Sequence, residues 1–185
     1  MRWIPTLILA YLVVLAQTTI ARVLAFQAGP VGTVMPDLAA VVAVFVALRA
    51  RSGVDVMLCG WVLGLGVDLT TAGGVGASTA VGPMSIFYAL CAGCVYRVRE
   101  AFFHERALTQ AFLALMFCLA AHGLWLSVQS LLNYHDMTWG AYLRALVQGA
   151  ALALYTALLM PLGHVLLRAC HHWFMAAPAG QRGRR

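Results

Sequence analysis

Polar and glycine-rich breaks divide the chain into six apolar stretches. The first runs from about Trp3 to Ala21, with Pro5 in its first turn, where a missing N–H costs little. Gly29-Pro30 and Gly32 then mark a loop. The second stretch begins near Pro36-Asp37 and ends at Leu48, before Arg49-Ala50-Arg51. Counted from Asp37 it has 12 residues, roughly 18 Å of helix, against a hydrocarbon core of roughly 30 Å. It must therefore recruit Val31–Met35, thin the bilayer locally, or lie hidden behind its neighbours. The third stretch, Val54 to about Thr70, is rich in glycine, and Ala72-Gly73-Gly74-Val75-Gly76 breaks the chain after it. The fourth runs from about Ser78 to Tyr96 with Pro83 in an early turn. The fifth is Ala107–Leu132. The sixth runs from near Trp139 toward Cys170, with a kink expected at Pro161.

Composition agrees with this pattern. Of 185 residues, 63% are hydrophobic and 10% charged, whereas a soluble domain carries about 25% charged residues. That excludes an ordinary soluble enzyme, a disordered regulator and a coiled coil. The expected fold class is an all-α integral membrane protein, a bundle of about six transmembrane helices. Residues 1–175 form the six-helix domain and residues 176–185 a basic tail. The N-terminal run resembles a signal peptide, but it continues to about Ile20 with no A-x-A cleavage site, so an uncleaved first span is expected.

The net charge of +6 would suggest nucleic acid in a soluble protein. Here the arrangement of the basic residues favours topology over nucleic-acid binding. All 12 are arginine. With six spans, Arg2, Arg49, Arg51, Arg97, Arg99, Arg106, Arg168, Arg182, Arg184 and Arg185 share one side, and only Arg22 and Arg144 take the other. Basic residues gather in cytoplasmic loops, so both termini are expected in the cytoplasm.

Few residues suggest chemistry. Gly60, Gly64 and Asp68 recur every four residues and share a helix face. Glycines at this spacing let another helix approach closely, either from the same bundle or from a partner. Asp68 is a functional candidate because a carboxylate in a membrane is costly. Its position near a span end favours a structural role, binding loop N–H groups around Gly73-Gly74. Asp37 is read as a helix cap, and the same reading holds for Asp55. Arg22, Asp37 and Arg144 are candidate outer-face polar residues, for which local ion pairing is the expectation. Ala145, Gly149, Ala153 and Ala157 form a small-residue stripe suited to helix packing, with Gly149 and Ala153 as candidate contacts.

His122 lies mid-span, and its own stretch holds no carboxylate, so a hydrogen-bonded structural histidine is expected. Cys91-x-x-Cys94 sits in an apolar run without a second pair, so it reads as inert. His171-His172 is a weak metal pair, because adjacent helical residues point in different directions. Gly76-Ala77-Ser78 is followed by Thr79 where an intramembrane serine protease needs glycine. No cofactor or metal site and no catalytic residue are assigned, and the protein is read as non-enzymatic.

Together Pro36-Asp37-Leu38, the run ending Val46-Ala47-Leu48-Arg49, Gly60-x-x-x-Gly64-x-x-x-Asp68-Leu69, Gly73-Gly74-x-Gly76 and the basic loop Arg97 to Arg106 resemble the rod shape-determining protein MreD family. The resemblance covers about Arg2 to Leu132; beyond it, only a final span matches. It implies a non-enzymatic subunit of the cell-elongation machinery in the bacterial inner membrane. The implied partners are an MreC-like membrane-anchored protein, MreB filaments, wall synthases and membrane lipids, with no nucleic acid. The family is similar in fold to the substrate-binding subunits of energy-coupling-factor transporters, so a vitamin-capturing subunit is the alternative. Such subunits use a small-residue stripe on span 1, whereas here only Ala21 and Ala25 have that spacing.

The charge distribution predicts that reporter fusions after Arg51, Arg99 and Gly180 report cytoplasm, and that fusions after Gly32, Gly74 and Asp136 report the outside. An external tail would remove the six-span topology.

Overall fold

A computed structural model describes residues 3–29, 32–71, 82–99, 107–132 and 138–174. The side chains of residues 71 and 170–174 lie outside that description. So do the Gly73-Gly74 loop, Ser78, most of the basic loop after the fourth stretch, the polar turn at 133–136 and the tail. The described chain is nearly all helical. It forms α1 (Trp3–Val23), α2 (Leu38–Arg49), α3 (Gly53–Thr71), α4 (Pro83–Val98), α5 (Ala107–Leu132) and α6 (Trp139–Phe174). Four of these, α1, α3, α5 and α6, are long and apolar enough to cross a membrane, while α2 and α4 are shorter. Outward-facing side chains on α6, among them Leu154, Leu158, Leu162 and Val165, are apolar and exposed. So are Ile4, Leu7, Ile8, Tyr11 and Leu12 on α1. Surfaces this apolar belong in lipid, and the chain is a membrane protein.

The α1–α2 connection is more ordered than a loop. Strands β1 (Phe26–Gln27) and β2 (Thr33–Val34) pair antiparallel, Phe26 opposite Val34 and Gln27 opposite Thr33. Gly29 (φ 52°) and Gly32 (φ 90°) supply the left-handed backbone of the turn. The hairpin docks on α6: the Gln148 side chain donates to the Thr33 carbonyl at 2.8 Å, and the Tyr155 hydroxyl donates to that of Leu24 at 3.1 Å.

Of the three routes open to the short second stretch, the structure takes concealment. Residues 33–34 are strand, so they do not extend α2, and the helix has only its 12 residues. It contacts each of the other five helices, and every residue from Ala39 to Leu48 is buried. A helix that is apolar all round belongs in the interior. Alanines at 39, 40, 43 and 47 keep it thin enough to be surrounded.

Pro83 occupies the first turn of α4, where its missing N–H is harmless. Pro161 lies inside α6, which remains one helix of 36 residues. Helices α3 and α4 approach backbone to backbone. A Cβ at Gly60 would stand 2.8 Å from the Tyr88 carbonyl oxygen. At Gly64 it would stand 2.6 Å from Ser85 Cα and 2.7 Å from the Met84 carbonyl oxygen. The helix lying against this glycine face is thus α4 of the same chain.

Gly64→Leu should therefore lower membrane abundance and thermal stability, since overpacking costs about 1–3 kcal/mol or more. Gly140→Leu, where a Cβ would meet nothing within 4 Å, should change neither. Equal behaviour of the two variants in a detergent melting assay would contradict the close α3–α4 seam.

Candidate functional site

The first turn of a helix has N–H groups without partners, and at the head of α2 they fall inside the bundle. Asp37 is the N-cap, and its Oδ1 accepts from the Ala40 N–H at 3.0 Å. It is also only 2% exposed, so its remaining oxygen needs donors. The Tyr88 hydroxyl of α4 donates to Oδ2, and His122 Nε2 of α5 lies 3.0 Å from the same oxygen. The Asp37 backbone N–H donates to Thr156 Oγ1 of α6 at 2.9 Å, and that hydroxyl donates onward to the Leu152 carbonyl. From α1, Gln17 Oε1 accepts from the Leu38 N–H at 2.8 Å while its Nε2 donates to the Pro36 carbonyl at 3.1 Å. Four helices thus converge on the head of a fifth.

Helix α3 reaches this hub through α4. Asp68 Oδ2 accepts from the N–H groups of Gly82 at 2.9 Å and Ser85 at 3.2 Å, capping the α4 N-terminus from outside. Tyr88 lies one turn beyond Ser85, fully buried and edge-on to Phe117 at 5.0 Å. The glycine face of α3 thus sets how deeply α4 sits, and α4 presents the tyrosine. The foot of α2 is held similarly. Arg99 Nη1 donates to the carbonyls of Ala47 and Ala50, with its guanidinium 4.1 Å from the centroid of the Tyr96 ring.

This geometry corrects several expectations. Capping does not account for Asp37 by itself, because its second oxygen joins α4 and α5. Its ionisable partner is His122 rather than Arg22 or Arg144. Both arginines are exposed, and Arg144 Nε donates to its own helix at the Gly140 carbonyl. His122 is hydrogen-bonded as expected, and its partner is a carboxylate from outside its own helix, that of Asp37 at the head of α2. Asp68 binds the head of α4, whereas the glycines expected to meet it lie outside the described residues. The α6 stripe divides: Ala153 and Ala157 are buried, while Ala145 and Gly149 line a cavity. Cys91 is buried and Cys94 exposed, and both are free thiols.

Sequence reading missed Gln17, Tyr88 and Thr156. Each is a polar group inside an apolar stretch, and that was the available signal.

The cavity, about 240 Å³, lies between α5, α6 and the hairpin. Leu119, Trp125, Leu126, Leu146 and Leu152 are among its lining residues, with Gln148 from α6, and His122 is the imidazole in it. Among the described residues no group of His, Cys, Asp or Glu is placed to hold a metal ion. In comparisons with family models, curated proteins and solved structures, nothing matches the chain.

The hub predicts an order of losses on unfolding in detergent. Asp37→Ala strands the donors of Ala40, Tyr88 and His122 and should cost about 3 kcal/mol or more. Tyr88→Phe leaves the carboxylate two partners and should cost about 0.6–1.7 kcal/mol. Asp37→Asn should fall between them. A Tyr88→Phe loss equal to that of Asp37→Ala would break this account.

Proposed function

We propose that the protein is a non-catalytic scaffold subunit of the bacterial cell-elongation complex, resident in the inner membrane. In this reading it crosses the bilayer six times with both termini in the cytoplasm, and α2 and α4 are short crossings shielded by the longer helices. It holds an MreC-like single-span protein and, through it, MreB filaments and the wall synthases. The observation that carries the reading is where the family-like residues fall. Pro36-Asp37-Leu38 form the head of α2, and Gly60, Gly64 and Asp68 form the α3–α4 seam. A sequence pattern concentrated on helix joints suits a protein whose task is to present a fixed surface.

The chemistry of the interior is compatible with that task. The carboxylate, phenol and hydroxyl of the hub are engaged in helix-to-helix hydrogen bonds. The outward face of α1 presents Ile4, Leu7, Ile8, Tyr11 and Leu12. These bulky side chains do not suit the small-residue docking stripe of a vitamin-capturing subunit.

Depletion of the protein in its rod-shaped host should round the cells. A tagged copy should recover an MreC-like protein from native membranes. Cells that keep their width, together with a pull-down lacking any such partner, would refute the scaffold reading.

A further inference from the structure

We propose that the cavity between α5, α6 and the hairpin is a binding site for a neutral, hydroxyl-bearing apolar molecule, recognised through His122. The site is independent of the scaffold reading.

Its shape and wall set the first constraint. A volume of about 240 Å³ is below the roughly 300–1,000 Å³ of a drug-sized site. It holds one fused ring or the end of a larger amphiphile. Leu119, Trp125, Leu126, Leu146 and Leu152 make the wall largely aliphatic and aromatic, and the polar Gln148 at the hairpin end is engaged with the Thr33 carbonyl, so the body of the ligand is apolar. Gly123 and Gly149 also line it, and a Cβ built on either would meet nothing within 4 Å. The space beside these two glycines is left open by the described residues.

His122 sets the second constraint. Its Nε2 is engaged by Asp37 Oδ2 at 3.0 Å, and its side chain keeps 19% exposure at the cavity. An ionised carboxylate only accepts, so Nε2 then carries the proton and the other ring nitrogen is left for a ligand. Among the described residues nothing hydrogen-bonds to Nδ1. Nδ1 accepts when the ring is neutral and donates when it is charged. A hydroxyl both donates and accepts, so it serves either state. An anionic ligand would stand close behind the Asp37 carboxylate in an apolar surrounding and be repelled. A purely apolar ligand would leave Nδ1 without a partner.

The test uses full-length protein in detergent with 1-naphthol as probe, and naphthalene and 1-naphthoate as controls. Equilibrium dialysis should show 1-naphthol held about tenfold or more tightly than either control. Gly149→Leu and Gly123→Leu add bulk at the cavity from different helices, and a Cβ at either position meets nothing within 4 Å. Each should remove 1-naphthol binding while the melting temperature stays within a few degrees of wild type. Comparing wild type with these variants cancels probe taken up by micelles. Extraction of protein purified from native membranes separates two sources of the hydroxyl. A neutral hydroxylated lipid present on wild type and lost from both variants makes the natural ligand a lipid. Its absence, with 1-naphthol still bound, makes the ligand a free small molecule. Equal binding of naphthalene, or binding of 1-naphthol unchanged by both variants, overturns the proposal. Loss of a copurifying membrane protein from the variants, with 1-naphthol binding retained, also overturns it and makes the cavity a seat for a partner helix.

Discussion

The structure turns on the ends of a helix whose body, Ala39 to Leu48, is wholly buried. An α-helix leaves N–H groups at its head and carbonyls at its foot without internal partners. In an apolar interior each unsatisfied group costs several kcal/mol. Because α2 is short and wholly surrounded, its neighbours must supply the missing partners. Gln17, Tyr88, His122 and Thr156 converge on its head, and Arg99 crosses to the last carbonyls at its foot. These bonds fix the height and rotation of the surrounding helices relative to the centre. Apolar packing alone fixes neither strongly in lipid, where hydrocarbon surrounds every helix on both sides.

The α3–α4 seam follows from the same need. Tyr88 reaches Asp37 only if α4 lies close to the middle of the bundle. Glycines at 60 and 64 let α4 approach until its backbone nearly touches α3. Asp68, on the same face, then binds the N-terminal N–H groups of the helix it has admitted. Close approach and capping are thus supplied by one run of three residues spaced four apart. Loss of either would move the tyrosine away from its carboxylate.

In the hub the Tyr88 phenol meets the Asp37 carboxylate, and the Thr156 hydroxyl meets the Asp37 backbone N–H. His122 is the member with an edge turned outward, at the wall of the cavity. The outward face of α1 is apolar, with Ile4, Leu7, Ile8, Tyr11 and Leu12 exposed. Between α5, α6 and the hairpin clasped by Gln148 lies the half-open cavity.

The apolar stretches were legible from residue order alone, because helix-forming hydrophobic runs and their glycine, proline and arginine breaks are local features. The four long helices, the early proline of α4 and the excess length of α6 all follow from such runs. The capping role of Asp37 was legible for the same reason: it stands next to the helix it caps. The glycine face of α3 was legible because a period of four on a helix is fixed geometry. The hairpin was not, since its two-residue strands are too short to carry a pattern. Nor was the hub: Tyr88, His122 and Thr156 lie 51, 85 and 119 residues from Asp37. A polar residue in the middle of an apolar run declares that it needs a partner but not which one. The partner depends on which helices become neighbours and how each is rotated, and that was decided only when α2 was enclosed by the other five.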